Sequence, residues 1–490
     1  MYNIGYDIGS SSVKAALVEV ESGKKIAVIH EPEGEMRIIS PKPNWAEQDP
    51  DMWWQLVCVA TKKLLSQTGV KPSDIAAIGI AYQMHGLVVV DKQGESLRNA
   101  IIWCDSRAVQ TGKDAFKALG TKKCSEHLLN SPANFTASKL KWVKDNEPHI
   151  YDKIYKFMLP GDYISFKFSG DITTTICGLS EGMFWDYKSQ GVASWLLDFY
   201  DLDSSMTPEL VDNFSKQCAL NKQAAQASGL NAGTPITYRA GDQPNNALSL
   251  NVMKPGEVAA TGGTSGVVYA LTENKQTQEL ERINHFAHVN YSKEKPVIGK
   301  LLCINGSGIL YRWMRNNTGV NDYNDMNLMT AQVPIGSHGL CVMPFGNGAE
   351  RMLGNKNIGA RVLNLNLNQH NQDFLYRAAL EGIAFSFIYG MIFIKNDNAP
   401  LRIIRAGNDN LFRSEVFGNT IATLIGQEIE IFNTTGAVGA ARAASMDLSN
   451  MDSQSTQDYS SSYTPQKNKE MYLEAYSKWE KELKEIINKP

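Results

Sequence analysis

The chain has 490 residues, more than one hydrophobic core usually organises, so two domains are expected. Apolar residues at 43% and charged residues at 20% exclude a disordered chain, and a net charge of -3 without basic runs excludes a dedicated nucleic-acid surface. Seven scattered cysteines without a Cys-x-x-Cys pair argue against a disulfide framework or zinc site, and no long apolar run offers a membrane span; a cytoplasmic protein that binds no membrane is expected.

In chain order, Tyr2 to Tyr6 reads as a strand, Asp7-Ile8-Gly9-Ser10-Ser11-Ser12 as a tight turn and Val13 to Val18 as the returning strand. Gly9, Ser10 and Ser11 offer backbone N–H groups and hydroxyls that can hold a phosphate, and Asp7 can hold a hydrated magnesium ion. The spacing predicts an amphipathic helix over 52–65 and a buried strand over 75–81, which delivers Gln83-Met84-His85 to a sheet edge. There His85 either bonds a substrate or is a structural histidine. A strand over 100–103 ends in Cys104-Asp105-Ser106-Arg107, where Asp105 meets a ligand or pairs with Arg107. Helices are expected from 134 and from about 160, and the polar stretch 180–232 reads as an insertion.

Tyr238 to Ala247 places Asp242 directly after Ala240-Gly241, where missing side chains permit close approach to the backbone. The same composition suits a surface turn. Residues 261–272 then repeat the first hairpin: 261 minus 7 is 254, and this offset lays Gly263 on Gly9, Thr264 on Ser10 and Ser265 on Ser11. An offset of half the chain predicts an internal duplication with two phosphate-holding hairpins. His285 and His288 have ligand spacing but no acidic or cysteine partners nearby, and read as structural. Further on, strands are expected at 340–345 and 401–405, helices at 372–392 and 413–426, small residues entering a helix at 436–442, an exposed loop at 448–466 and a charged amphipathic helix at 467–489.

Taken together, Asp7-Ile8-Gly9-Ser10-Ser11-Ser12-Val13-Lys14, Trp45-Ala46-Glu47-Gln48, Gln83-Met84-His85-Gly86, Trp103-Cys104-Asp105, Leu159-Pro160-Gly161-Asp162, Gly241-Asp242, Gly263-Thr264-Ser265-Gly266 and Gly436-Ala437-Val438-Gly439 resemble the FGGY carbohydrate kinases over nearly the whole length. The resemblance implies an α/β chain of two ribonuclease-H-like (actin-type ATPase) domains, 1–244 and 245–490, the first binding sugar and the second nucleotide in the cleft between them. It implies ATP and Mg2+ as cofactors and a small sugar as partner, and leaves a homodimer open. By the same resemblance Asp242 is the catalytic base, and with Asp7 a metal ligand; Gln83, Met84, His85, Asp105, Asp242 and Gln243 contact the sugar. Gly9, Ser10, Ser11, Lys14, Gly263, Thr264, Gly308, Arg312, Gly407 and Asn408 are the implied nucleotide contacts.

Met84-His85 is similar to the xylulose-phosphorylating branch, where glycerol-specific members carry Arg-Glu. Two stretches depart from the family pattern: Ala406-Gly407-Asn408-Asp409-Asn410, bulkier than Gly-Gly-Gly-Ala, and Gln243-Pro244-Asn245-Asn246 after the base. Ribulose, fuculose, rhamnulose, gluconate and glycerol are the competing substrates. Actin-like or Hsp70-type ATPases share the core but lack the Gln-Met-His-Gly motif.

Overall fold

β1 (Tyr2–Ile8) and β2 (Val13–Glu19) pair antiparallel with Asp7 opposite Lys14, in a computed structural model that describes residues 1–446 and 458–488. β3 (Lys25–Glu31) pairs with β2, while β4 (Ile75–Tyr82) joins β1 in parallel, as its unbroken apolar run requires. β5 (Phe214–Ala219) and β6 (Pro235–Gly241) complete a six-stranded sheet ordered β5-β6-β4-β1-β2-β3, with β6 parallel to β4.

Alternation along these strands makes two buried faces. Ile4, Tyr6, Ile8, Ala15 and Leu17 pack in one core with Trp53, Val57 and Leu64 of the helix Pro50–Thr68. That helix starts where the Asp49 carboxylate accepts from the Asp51 N–H at 3.0 Å, and it ends at Gly69 with φ 69°. Ala16 and Val18 face the other way, onto Ala437, Val438 and Ala441 of the helix Gly436–Ala443. A Cβ on Gly5 would lie 2.0 Å from the Ala437 carbonyl oxygen and one on Gly79 2.0 Å from that of Ala440, so the two glycines let this helix lie directly on the sheet.

The second sheet repeats the plan. Its hairpin is β7 (Glu257–Gly262) and β8 (Gly266–Thr272), followed in sequence by β9 (Asn284–Ala287), β10 (Ile298–Ile304), β11 (Ile403–Gly407), β12 (Ile429–Phe432) and β13 (Tyr459–Tyr463). The order is β9-β10-β8-β7-β11-β12-β13, with β7, β11 and β12 parallel and β13 antiparallel at the edge. Setting aside β9, both sheets run from a strand outside the hairpin, through the hairpin, to two parallel strands and an antiparallel edge strand. β1 ends at Ile8 and β7 at Gly262, again 254 apart, so the duplication read from the turns extends to the strands.

The helix Gln372–Asn396 fills the core of this half, burying Leu380, Ile383, Phe387 and Ile394. A Cβ on its Gly382 would meet the Val342 carbonyl oxygen at 2.1 Å, the close packing expected of its small residues. Its 25 residues are long and apolar enough to cross a bilayer, but 78% of its most apolar stretch is buried in protein. The helix Lys469–Asn488 docks on the same core through Tyr476, Trp479 and Leu483.

Several expectations are corrected. The strand over 340–345 shrinks to Cys341–Met343 and pairs with Arg361–Leu363 outside the large sheet. The strand over 100–103 is only Ala100–Ile101. The loop over 448–466 holds β13, because Tyr463 packs on Gly418 and its hydroxyl donates to the Phe412 carbonyl at 2.7 Å; residues 448–457 lie outside the described residues. The supposed insertion 180–232 supplies β5 of the main sheet and the buried Glu181, Trp185 and Leu196.

The chain divides into two compact units. The first comprises Met1–Asn251, Phe286–Ile298 and the described residues of Thr434–Gln457; the second comprises Val252–His285, Gly299–Asn433 and the described residues of Asp458–Pro490. A single cut at 244 is thus replaced by a first crossing at 251 and two later returns, the last made by the helix that Gly5 and Gly79 accommodate. All seven cysteines are free.

Candidate active site

In the first unit, β6 ends at Gly241 and Asp242 opens the helix Asp242–Ser249. Gly241 is required by its surroundings: a Cβ there would lie 2.5 Å from the Met84 side chain and 3.3 Å from Glu181 Oε1. The ends of β4 and β6 therefore touch, and Met84 is brought against the residue preceding Asp242.

Asp242 keeps part of its surface open, yet protein surrounds its carboxyl closely enough that desolvation, followed by the negative charge of Asp7, raises its pKa to about 7. Gln243 opposes the rise, its Nε2 donating to Asp242 Oδ2 at 3.3 Å, and the Lys14 charge opposes it more weakly. Asp7 pairs with Lys14 at 3.4 Å and is approached by Gly436, whose added Cβ would lie 2.9 Å from Asp7 Oδ2. Asn245 Nδ2 holds the Gly436 carbonyl at 2.9 Å. Asp7, Lys14, Asp242 and Gln243 thus share one neighbourhood.

The first hairpin turn closes with the Gly9 N–H donating to the Ser12 carbonyl at 3.0 Å. Ser10 and Ser11 sit at its tip; Gln48 Nε2 fixes the Ser10 carbonyl at 2.7 Å and the Met36 N–H the Ser11 carbonyl at 2.8 Å. Gln83 lies beneath this turn, donating from Nε2 to Gln48 Oε1 at 3.1 Å, and is buried. It supports the hairpin.

His85 adopts φ 62°, a left-handed conformation uncommon for a non-glycine residue. Its N–H donates to Glu181 Oε2 at 3.0 Å, its Nδ1 lies 3.0 Å from the Glu181 carbonyl oxygen, and Lys139 Nζ donates to its carbonyl at 2.7 Å. Phe135 and Phe286 flank the imidazole, with centroids at 4.7 and 5.1 Å. Lys139 is itself buried, and its pKa is lowered to about 8 by desolvation.

Asp105, expected among the sugar contacts, has no exposed surface. Its oxygens accept from Arg107 Nε at 3.0 Å, from Arg107 Nη2 at 2.7 Å and from the Ala46 N–H at 2.6 Å, so it is spent on holding Arg107 and the Trp45–Ala46 loop. Of the alternatives open in the sequence, the Asp105–Arg107 pair is the one realised. Glu181 was not expected at all, since it lies where an insertion was read.

The second unit gathers its own candidates. Gly263 and Thr264 form the second turn, with Thr264 exposed. The helix Gly308–Asn317 abuts them, the Gly308 N–H donating to the Gly263 carbonyl and the Ile309 N–H to the Thr264 carbonyl, both at 3.1 Å. A Cβ on Gly308 would lie 2.4 Å from Gly263 O, so Gly308 serves contact between helix and turn and its N–H is already used. Arg312 stands exposed one turn along that helix. Gly407 ends β11, and the Asn408 side chain bonds Asn433 Oδ1 at 2.9 Å, while Asn410 lies near Gly263. His285 is a structural residue of this unit: its Nε2 meets Asp397 Oδ2 at 2.8 Å, and Lys300 Nζ shares that oxygen at 2.6 Å.

The chain is similar to several known proteins. The xylulose kinase of Escherichia coli (strain K12) is 28% identical over 445 residues, 90% of this chain and 88% of its own. That of Bacillus subtilis (strain 168) is 28% identical over 391 residues, 79% of this chain and 76% of its own. The crystal structure of xylulose kinase from Rhodospirillum rubrum has a TM-score of 0.88 at 22% identity and covers 100% of both chains. The Plasmodium falciparum glycerol kinase with ADP has a TM-score of 0.87 at 18% identity, covering 100% of this chain and 99% of its own. The fold is the two-domain actin-like ATPase fold. Because the profile of the N-terminal domain of the FGGY family of carbohydrate kinases matches residues 2–249, just over half of the chain, the protein belongs to that family and is a carbohydrate kinase.

Proposed function

We propose that this kinase transfers the γ-phosphoryl group of ATP to the primary hydroxyl of D-xylulose, giving D-xylulose 5-phosphate and ADP. The observation that carries the reading is the contact of Met84 with Gly241, which sets the Met84-His85 pair beside Asp242. Relatives named xylulose kinase at 28% identity support the sugar. In this reading Asp242 accepts the hydroxyl proton late in transfer, a role open to an ordinary carboxylate because little deprotonation is needed early. The hairpin turns at Gly9–Ser11 and Gly263–Thr264 hold phosphate oxygens through backbone N–H groups and hydroxyls.

Asp7 and Asp242 fit a magnesium ion: the charge of Asp7 raises the cost of charging Asp242, and a divalent cation would remove that cost. Among the described residues no group of three or more His, Cys, Asp or Glu is set to hold a metal, as expected where magnesium takes one or two carboxylates and completes its shell with phosphate and water. When bound, the ion would neutralise charge on the phosphates.

His85→Ala is expected to raise the sugar KM by about 5- to 150-fold, the equivalent of about 1–3 kcal/mol for one lost hydrogen bond in a closed site, with the ATP KM little changed. ADP release measured across ketoses, polyols and sugar acids tests the substrate directly. Strong turnover with D-xylulose is the expected result; strong turnover only with another sugar removes the xylulose assignment.

A further inference from the structure

Glu181 ends the helix Ile176–Glu181 with only 1% of its surface exposed. A buried carboxyl group costs stability unless its oxygens are engaged, and here the His85 N–H and the Tyr82 hydroxyl engage it. Oε1 points toward the glycine cradle before Asp242, 3.3 Å from where a Gly241 Cβ would stand. Desolvation holds the Glu181 carboxyl well above the usual carboxylate range.

The contacts of Glu181 run to His85. Oε2 accepts from the His85 N–H at 3.0 Å, and the Glu181 carbonyl oxygen lies 3.0 Å from Nδ1. A carbonyl oxygen only accepts, so Nδ1 carries a proton, and Glu181 Oε2 lies 3.5 Å from the same nitrogen. The side-chain bond restrains His85 at φ 62°, a conformation that an unassisted histidine leaves readily.

We propose that Glu181 is a positioning residue of the sugar site, which fixes the backbone and ring of His85 so that the imidazole meets the sugar in one orientation and one tautomer. This rests on the reading of His85 as a sugar contact. The bond that matters is set by reach, so a shorter acid should fail where a neutral isostere succeeds.

The test compares Glu181→Asp with Glu181→Gln, reading KM for D-xylulose, KM for ATP and kcat in the full chain, with imidazole nitrogen shifts of His85 by NMR. Glu181→Asp withdraws the acceptor by one methylene and is expected to raise the sugar KM about tenfold or more, with the ATP KM unchanged and the Nδ1–H signature weakened. Glu181→Gln keeps the length and an acceptor, and its rise should be at least about threefold smaller than that of Asp. A sugar KM unchanged in Glu181→Asp, sugar and ATP KM rising together, or Gln as impaired as Asp each overturns the proposal. His85→Ala separates the two levels. If it raises the sugar KM while Glu181→Asp does not, this inference alone fails; if it leaves the KM for every sugar unchanged, the sugar-site reading fails with it.

Discussion

Asp242→Asn is expected to lower kcat by about 10²–10⁴-fold while both KM values move little, because the substitution removes a proton acceptor and keeps the shape. The side chain opens the helix Asp242–Ser249; an asparagine amide oxygen can still accept from Gln243 Nε2, and Asn245 is held by the Gly436 carbonyl, so an amide can occupy the same place. Relief of the repulsion with Asp7 should also leave the fold at least as stable, since an uncharged group no longer pushes against a carboxylate. Steady-state kinetics with a matched thermal melt checks this. Turnover near wild type removes Asp242 from the base role, and loss of turnover with a collapsed melt assigns it to folding instead.

Gly79→Val is expected to cost about 3 kcal/mol or more, or to prevent folding, because it drives a branched side chain into backbone. Its Cβ alone would stand 2.0 Å from the Ala440 carbonyl oxygen and 2.7 Å from the Ala440 carbonyl carbon, and neither can swing aside as a flexible side chain would. The helix Gly436–Ala443 must then lift from β1 and β4, uncovering Ala16 and Val18. Gly34→Ala is the matched control, since nothing lies within 4 Å of the added Cβ. Chemical denaturation of both variants decides the matter: equal midpoints would mean that the helix is not held where the structure puts it.

Much of this architecture is legible in the sequence because local chemistry dictates it. The Gly9–Ser12 turn and its echo at Gly263–Gly266 are written in residue types that turns require, and the spacing of the two copies marks the duplication. Gly241 is legible only as a position that permits close approach; that Met84 is the neighbour that approaches is seen in three dimensions. Glu181 is not legible, because its significance lies in bonds to His85, 96 positions earlier, and a polar stretch gives no sign that one carboxyl will be buried. Asp105 shows the opposite case. A carboxylate at a strand end reads as a ligand contact until Arg107, two residues on, is seen to take its oxygens. Nor does the sequence around Gly436 announce that its small residues serve a sheet formed by the beginning of the chain; Gly5 and Gly79 are their complement only in three dimensions.

That last arrangement has a consequence for how the protein is made. The sheet of the first unit is encoded by residue 241, yet the helix that covers its Ala16 and Val18 face is encoded only at 436–443. During synthesis, which proceeds from the N-terminus, the nascent first unit emerges with one apolar face uncovered and must wait through nearly two hundred residues of translation for its cover. Closure of that face is thus a late, non-local step with a large loop to close, which places slow folding and exposure to aggregation or chaperone capture on the unit that is synthesised first.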